Sequence, residues 1–523
     1  MPGNRRTGQL QGDDSIGAHL RLFVLSLIVI AIACSRGDQP FNPLRALHPG
    51  TKAPPITPVG ESQAEVPDSE QSDQPAPLTT PTPDPVRQPP SPESLPEWYV
   101  VQPGDSMNRI AGAFGVGVQQ ILTDNGLGNP DFLAVGQVLH LPTPFPQTPS
   151  PSLKIVPDSE LVYGPGSMDF DVEQEVARWQ GALHNYREMV DGRERSGAEI
   201  VALVAANHSV SPRLLLAVLE YQSGWMTRTD PPPERAIYPI GFARYGSEGL
   251  YRQLMWAADE LSRGYYLWRA GWAGPYVLVD GIAVPPGAGI NAGTAAVQHL
   301  FGQLYPVDIW RSVVGEAGFP RVYQILFGNP FTRSVEPLVP DDLTQPALQL
   351  PFERGRSWSF TGGPHAAWGN WAAWAALDFA PPGDALGCVQ SNEWVVAAAD
   401  GPVIRTDYGL VVQDLDGDGL EGTGWVLQYL HVESRDRVAV GTTLQAGDRI
   451  GHPSCEGGVS SGTHLHLSRK YNGEWITADG AMPFELDGWL SSGWGTAYDG
   501  TLTQGNWILE ACACRAAGNQ ISR

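Results

Sequence analysis

Cysteine is scarce in this chain: five residues in 523, with no Cys-x-x-Cys pair anywhere. The absence of that spacing excludes a zinc ribbon or finger. Basic runs are also missing, and the net charge is −23, which argues against a nucleic-acid partner. No apolar stretch reaches the ~20 residues that span a bilayer; Leu22–Ala33 is about twelve residues long. Charged residues are only 17% of the chain, and the 47 prolines are clustered rather than spread. At 523 residues with 42% hydrophobic content, the chain is too long for one core, and three or more domains are expected.

What is present begins with an export pattern. Arg5 and Arg6 precede the Leu22–Ala33 run, and small residues lead to Cys34. A basic start, a short apolar core and a small-residue break read as a signal segment over residues 1–34. Ala31-Ile32-Ala33-Cys34 resembles a bacterial lipoprotein signal, which implies lipidation of Cys34. An uncleaved anchor and a plain secretory signal stay open beside it. Each places the following domains outside the cytoplasm, where disulfides persist. Residues 35–96 are rich in Pro, Ser, Thr, Gln and Asp without apolar periodicity, and read as a disordered tether.

Residues 97–142 form a strand–helix–helix–strand unit. Tyr99-Val100-Val101 is strand-like, Ser106 caps a helix carrying Met107, Ile110, Ala111 and Phe114, and Val138–Leu141 returns as a strand. Together with Pro103-Gly104-Asp105-Ser106, Asn125-Gly126 and Val135-Gly136-Gln137, these residues resemble a LysM domain. The resemblance implies a module that binds N-acetylglucosamine-containing glycans such as peptidoglycan. A second linker, 143–158, leads to a mainly helical region, 159–340, where Leu214, Leu215, Val218 and Leu219 form a buried stripe. Val210–Gly224 weakly resembles the catalytic stretch of lysozyme-like lytic transglycosylases, but Gln222 stands where that family has its acid. An amide cannot serve as a general acid, so the region reads as a scaffold or a degenerate glycan-binding domain.

From residue 351 to 490 the texture changes to short β-branched and aromatic segments separated by turns, which predicts an antiparallel β domain followed by an extension over 491–523. Five of the 11 histidines fall there: His365, His431, His452, His464 and His466. In Gly462-Thr463-His464-Leu465-His466 the histidines are two apart, so on a strand both face one side while Leu465 faces the core. Catalytic zinc uses three protein ligands and a water; His365 and Asp378 are the candidates to join His466. Asp414-Leu415-Asp416-Gly417-Asp418-Gly419 matches half of a calcium loop, but the twelfth position is Trp425 rather than Glu.

Asp378–Gly383, Val396–Gly401, Tyr429-Leu430-His431, Gly441–Gly451 and Gly462–His466 together resemble the lysostaphin/LytM-type zinc metallopeptidases, which have a duplicated hybrid motif fold. That family's common form has a histidine four residues before the aspartate, where this chain has Trp374. Its β-lytic branch instead takes a histidine from a Gly-Gly-x-His loop, with the aspartate thirteen residues on, and Gly362-Gly363-Pro364-His365 with Asp378 fits that spacing. The resemblance implies zinc ligands His365, Asp378 and His466, with His464 as general base and His431 stabilising the oxyanion or sharing the base role. It implies cleavage of peptide bonds in peptidoglycan. Cys388 and Cys455 are expected to pair, and the partners of Cys512 and Cys514 stay open. Two rivals remain: a non-catalytic wall-binding protein or amidase activator, and a glycan-cleaving enzyme using the helical region.

Overall fold

A computed structural model describes residues 98–523, except 102–104, 131–132, 134–136, 142–147, 271–274, 371 and 384. These residues belong to one compact unit, Pro75–Arg523. The signal segment, Cys34 and the tether lie outside the described residues. Among the described residues no helix is long and apolar enough to cross a membrane.

The first module pairs β1 (Trp98–Val100) antiparallel with β2 (Val138–His140) around α1 (Met107–Phe114) and α2 (Val118–Asp124). The Ser106 side chain caps α1 by accepting from Arg109 N, satisfying one of the amides that a helix start leaves open. Asn125 ties the second helix to β2, its side chain exchanging hydrogen bonds with the backbone of His140 at 2.6 and 2.9 Å. The module's core, with Tyr99, Ile110, Phe114 and Leu139, continues into Val277 and Ala283 of the helical region.

That region is built around α3 (Gly197–His208), α4 (Pro212–Ser223), α5 (Leu250–Arg269) and α6 (Ala292–Gly302). A capping box, Ser196 with Glu199, starts α3, and Pro212 starts α4 where its missing N–H costs nothing. The expected linker is partly structural: Ile155 and Val156 are buried in this core. In α4 Gln222 accepts a hydrogen bond from Tyr305 Oη at 2.8 Å. Glu220 accepts from the amides of Met226 and Thr227 and from the Thr227 hydroxyl. The two positions that a glycosidase reading would examine are thus engaged in holding the α4 C-terminus.

The remainder is sheet. Its strands include, in chain order, β3 (Ser357–His365), β4 (Ala376–Ala380), β5 (Gly401–Asp407), β6 (Leu410–Asp414), β7 (Trp425–Leu430), β8 (Thr443–Leu444), β9 (Leu465–Tyr471), β10 (Glu474–Trp475), β11 (Trp489–Gly493), β12 (Gly500–Gln504) and β13 (Gln520–Ser522). The large sheet runs β8-β5-β6-β7-β9-β4-β3-β13, with β10 hairpinned to β9, and its ladders are antiparallel. Residues 491–523, read from sequence as an extension, are integral to this region. β13 pairs with β3, and Leu502, Leu509 and Ile521 enter the same core as Phe360, Leu377 and Leu465. Short strands with few apolar residues give little sequence signal, which is why they read as a tail. The structure joins Cys388 to Cys455 and Cys512 to Cys514.

The helical and sheet regions share a polar boundary. Arg405 binds Glu421 and reaches Asn207, Arg195 pairs with Asp407, and Tyr265 and Arg269 bind Glu474. The β9–β10 hairpin tip, Asn472-Gly473, seats against the helical region: the Ser209 hydroxyl donates to the Gly473 carbonyl at 2.6 Å. Gly473 turns at φ +79°, and a Cβ there would lie 2.4 Å from the Tyr163 carbonyl oxygen, so only glycine fits.

Candidate metal centre

Antiparallel register places the site. On β9, Leu465 is fully buried in the core while His466, one residue on, stands directly opposite Asp378 of β4. β3 lies on the other side of β4 and ends at His365. The Gly-Gly preceding it has a steric reason. A Cβ on Gly362 would lie 2.9 Å from Asp378 Oδ2, and one on Gly363 would lie 2.6 Å from the Asp499 carbonyl oxygen.

His365 Nε2, His466 Nδ1 and Asp378 Oδ1 converge, at 3.0 Å between the nitrogens and 3.2 Å from each nitrogen to the carboxylate. His464 Nε2 stands 3.6 Å from the same oxygen. The His431 ring lies 4.5 Å from that of His464 and 6.2 Å from that of His466, between centroids. All five residues named from sequence are therefore together, and Trp374, which faces the α5 end of the molecule, is not among them.

Backbone carbonyls set the tautomers. A carbonyl oxygen only accepts, so each ring nitrogen bonded to one carries the proton. His365 Nδ1 donates to Gly363 O at 2.7 Å, His466 Nε2 to Ala367 O at 3.0 Å, His464 Nδ1 to Gly462 O at 2.8 Å and His431 Nδ1 to Glu456 O at 2.9 Å. The opposite nitrogen of each ring is left as an acceptor. His365 and His466 thus aim lone pairs at one point beside a carboxylate. Two neutral acceptors 3.0 Å apart repel unless a cation lies between them, so this donor set fits a divalent metal with N and O ligands.

The carboxylate and the rings are also coupled electrostatically. Burial opposes ionisation of Asp378, but His365 and His464 outweigh it and hold its pKa well below the usual carboxylate range. Burial also opposes protonation of His365, yet Asp378 outweighs it and raises its pKa. His466 is lowered, chiefly by burial. Burial, with His464 and His466 nearby, pushes His431 down to about 3, which favours its neutral imidazole.

Sequence reasoning missed Tyr498. Its ring stacks on His365 at 4.1 Å and 21°, and its backbone closes a two-bond bridge to Gly363 and Pro364. It sits in a glycine-rich loop with no spacing rule to mark it; only its aromaticity there was a signal. His452, which had no expected role, donates from Nδ1 to Glu393 O and packs on Trp394. The Cys388–Cys455 bridge ties two loops flanking the site, and the Gly387 carbonyl in one accepts from Thr463 N beside His464. Asp414, Asp416 and Asp418 gather as the half calcium loop suggested. Asp414 there accepts from the amides of Asp416, Gly417 and Gly419, and Glu421 turns away to Arg405 and Lys470.

Comparison with known proteins follows the same division. A family model described as the N-terminal domain of LasA matches residues 154–340, and a LysM model matches 99–142. Protease LasA of Pseudomonas aeruginosa is 26% identical over 365 residues, 65% of this chain and 79% of that protein. A β-lytic metalloendopeptidase of Lysobacter enzymogenes is 30% identical over 155 residues, 29% of this chain and 83% of that protein. Among solved structures, the M23 metalloprotease pseudoalterin, from the deep sea, aligns with 35% of this chain and 99% of its own at 23% identity and a TM-score of 0.27.

Proposed function

The chain belongs to the β-lytic metalloendopeptidase family, and from that premise we propose that it is an extracytoplasmic zinc endopeptidase that hydrolyses peptide bonds in bacterial peptidoglycan. The observation that carries this reading is the convergence of His365 Nε2, His466 Nδ1 and Asp378 Oδ1, each histidine held by a carbonyl on its other nitrogen. These three residues would hold zinc. Bound there, zinc supplies a water of lowered pKa and a Lewis acid for the scissile carbonyl.

The chain's own groups do the rest. His464 presents Nε2 as an acceptor at the edge of the site; it takes the proton of the attacking water and returns it to the leaving amine. His431 has its Nδ1 proton on the Glu456 carbonyl, so its Nε2 accepts rather than donates. That argues against the oxyanion role, which needs a donor, and its lowered pKa leaves the base role chiefly to His464. Tyr498 packs His365 into a single ring orientation.

The LysM module, 99–142, would hold the enzyme on glycan strands. The tether and a lipid on Cys34 would hold it at the membrane surface, and the Cys388–Cys455 bridge suits that oxidising location. Digestion of purified peptidoglycan tests the enzyme reading. Free amines should appear, and a chelator should stop their release. No release at all would sink it in favour of a non-catalytic wall-binding protein, and release unaffected by the chelator would sink the zinc mechanism in favour of metal-independent hydrolysis. Reducing or anhydro-sugar ends that survive His466→Ala would instead point to glycan cleavage.

A further inference from the structure

The loop 366–375 joins the His365 and Asp378 strands, and among its described residues Trp368, Gly369 and Asn370 pack against the helical region. Its inner face meets the metal centre: the Ala367 carbonyl takes the Nε2 proton of His466 at 3.0 Å. That bond decides which nitrogen of His466 faces Asp378. Ala367 N in turn donates to Ala373 O at 3.0 Å. Its outer face meets α5 and the end of α3. Gly369 turns at φ +60°, and a Cβ there would lie 2.2 Å from Asp259 Oδ1 and 3.2 Å from His208 Cε1. Asn370 Nδ2 is 3.5 Å from Asp259 Oδ2. His208 Nδ1 is 3.2 Å from Asp259 Oδ1, and its ring lies edge-on to Trp368. Two turns further along α5, the Tyr266 hydroxyl accepts from Trp475 N at 2.9 Å. Trp475 in turn packs with Ala367, Ala372, Ala373 and Ala375.

Asp259 and His208 are both buried, at 8% and 3% exposure. A buried carboxylate beside an imidazole is costly to keep, and on one side this pair packs against the ligand loop. We propose that Asp259, braced by His208, is a positioning residue for the metal centre. Through Gly369 and Asn370 it holds the 366–375 loop so that the Ala367 carbonyl keeps His466 in its metal-binding tautomer. The helical region is then part of the metal site's support, and its contribution is read in metal affinity. This rests on His466 being a ligand.

The test titrates zinc into the metal-free full chain against a chromogenic chelator, with thermal unfolding of the same metal-free proteins. Loss of an outer-shell partner weakens metal binding by about 10–100-fold. Asp259→Ala and Gly369→Ala are each expected to weaken zinc at least about tenfold on that scale. Arg195→Ala, which cuts the Arg195–Asp407 pair elsewhere at the same boundary, should leave zinc affinity within about twofold. The proposal is overturned if Asp259→Ala binds zinc as wild type does, with Gly369→Ala deciding should that variant fail to fold. It is also overturned if Arg195→Ala weakens zinc equally, the mark of a general boundary effect. A wild-type chain that binds no zinc overturns the ligand assignment instead.

Discussion

His431 and His464 sit ring beside ring, and His464 stands farther from Asp378 Oδ1, at 3.6 Å, than the 3.2 Å of the two proposed histidine ligands. The prediction at this scale is a separation of metal from chemistry. His365→Ala should lose zinc and activity together. His464→Ala should retain zinc by metal analysis while kcat falls by about 10²–10⁴, the usual contribution of a general base. A second residue-scale prediction concerns Glu421. Burial works against its charge, but Arg405 and Lys470 outweigh burial and bring its pKa to about 2. A depressed carboxylate stabilises the fold above its unfolded pKa near 4.5 and loses that contribution as pH falls towards 2. The contribution is on the order of 3 kcal/mol. Glu421→Gln should therefore lower the thermal midpoint at pH 7 far more than at pH 2.5, measured by circular dichroism. Equal losses at both values would refute the ion-pair account.

The strand β9 shows how an element serves two purposes. Its alternation sends Leu465 and Leu467 into the core and His464 and His466 to the site. Period two was legible in the sequence because strand geometry dictates it, and so was the Gly-Gly before His365, whose steric need is visible once Asp378 is in place. The rest was not legible for physical reasons. The tautomer-setting groups are carbonyls of Gly363, Ala367, Gly462 and Glu456, and a backbone oxygen looks the same whatever residue carries it. Tyr498 reaches His365 through a long-range contact that no local pattern encodes. Leu465→Ala should cost about 2–5 kcal/mol, as buried leucine truncations do, and should weaken zinc binding as well, since the strand loses its seat. Cys388→Ser opens a loop of 67 residues, for which chain entropy gives roughly 4 kcal/mol. A fall in denaturation midpoint in that variant, with zinc still bound, is the expected result.

At the scale of the whole molecule the boundary between helical and sheet regions is polar, buried and keyed by a glycine. Arg405, held by Glu421, meets Asn207 there, with Lys470 on the same carboxylate, while Gly473 lies against Tyr163. Two regions so joined should unfold together. Calorimetry is expected to show one transition for them, and Gly473→Ala, which forces a methyl onto the Tyr163 carbonyl, should lower that transition by several degrees or split it. Two independent transitions in the wild type would show that the boundary is weak.

The seating of Gly473 also imposes an order in time. Chains are made, and their domains fold, from the N-terminus. The surface offered by Tyr163 and Ser209 is complete before His365, Asp378 or His466 has been added, and β13, which edges the His365 strand, comes later still. The nascent protein therefore acquires its docking surface first and its proposed metal ligands last. A half-made chain in transit has a place to fold against but no means yet of cutting what surrounds it.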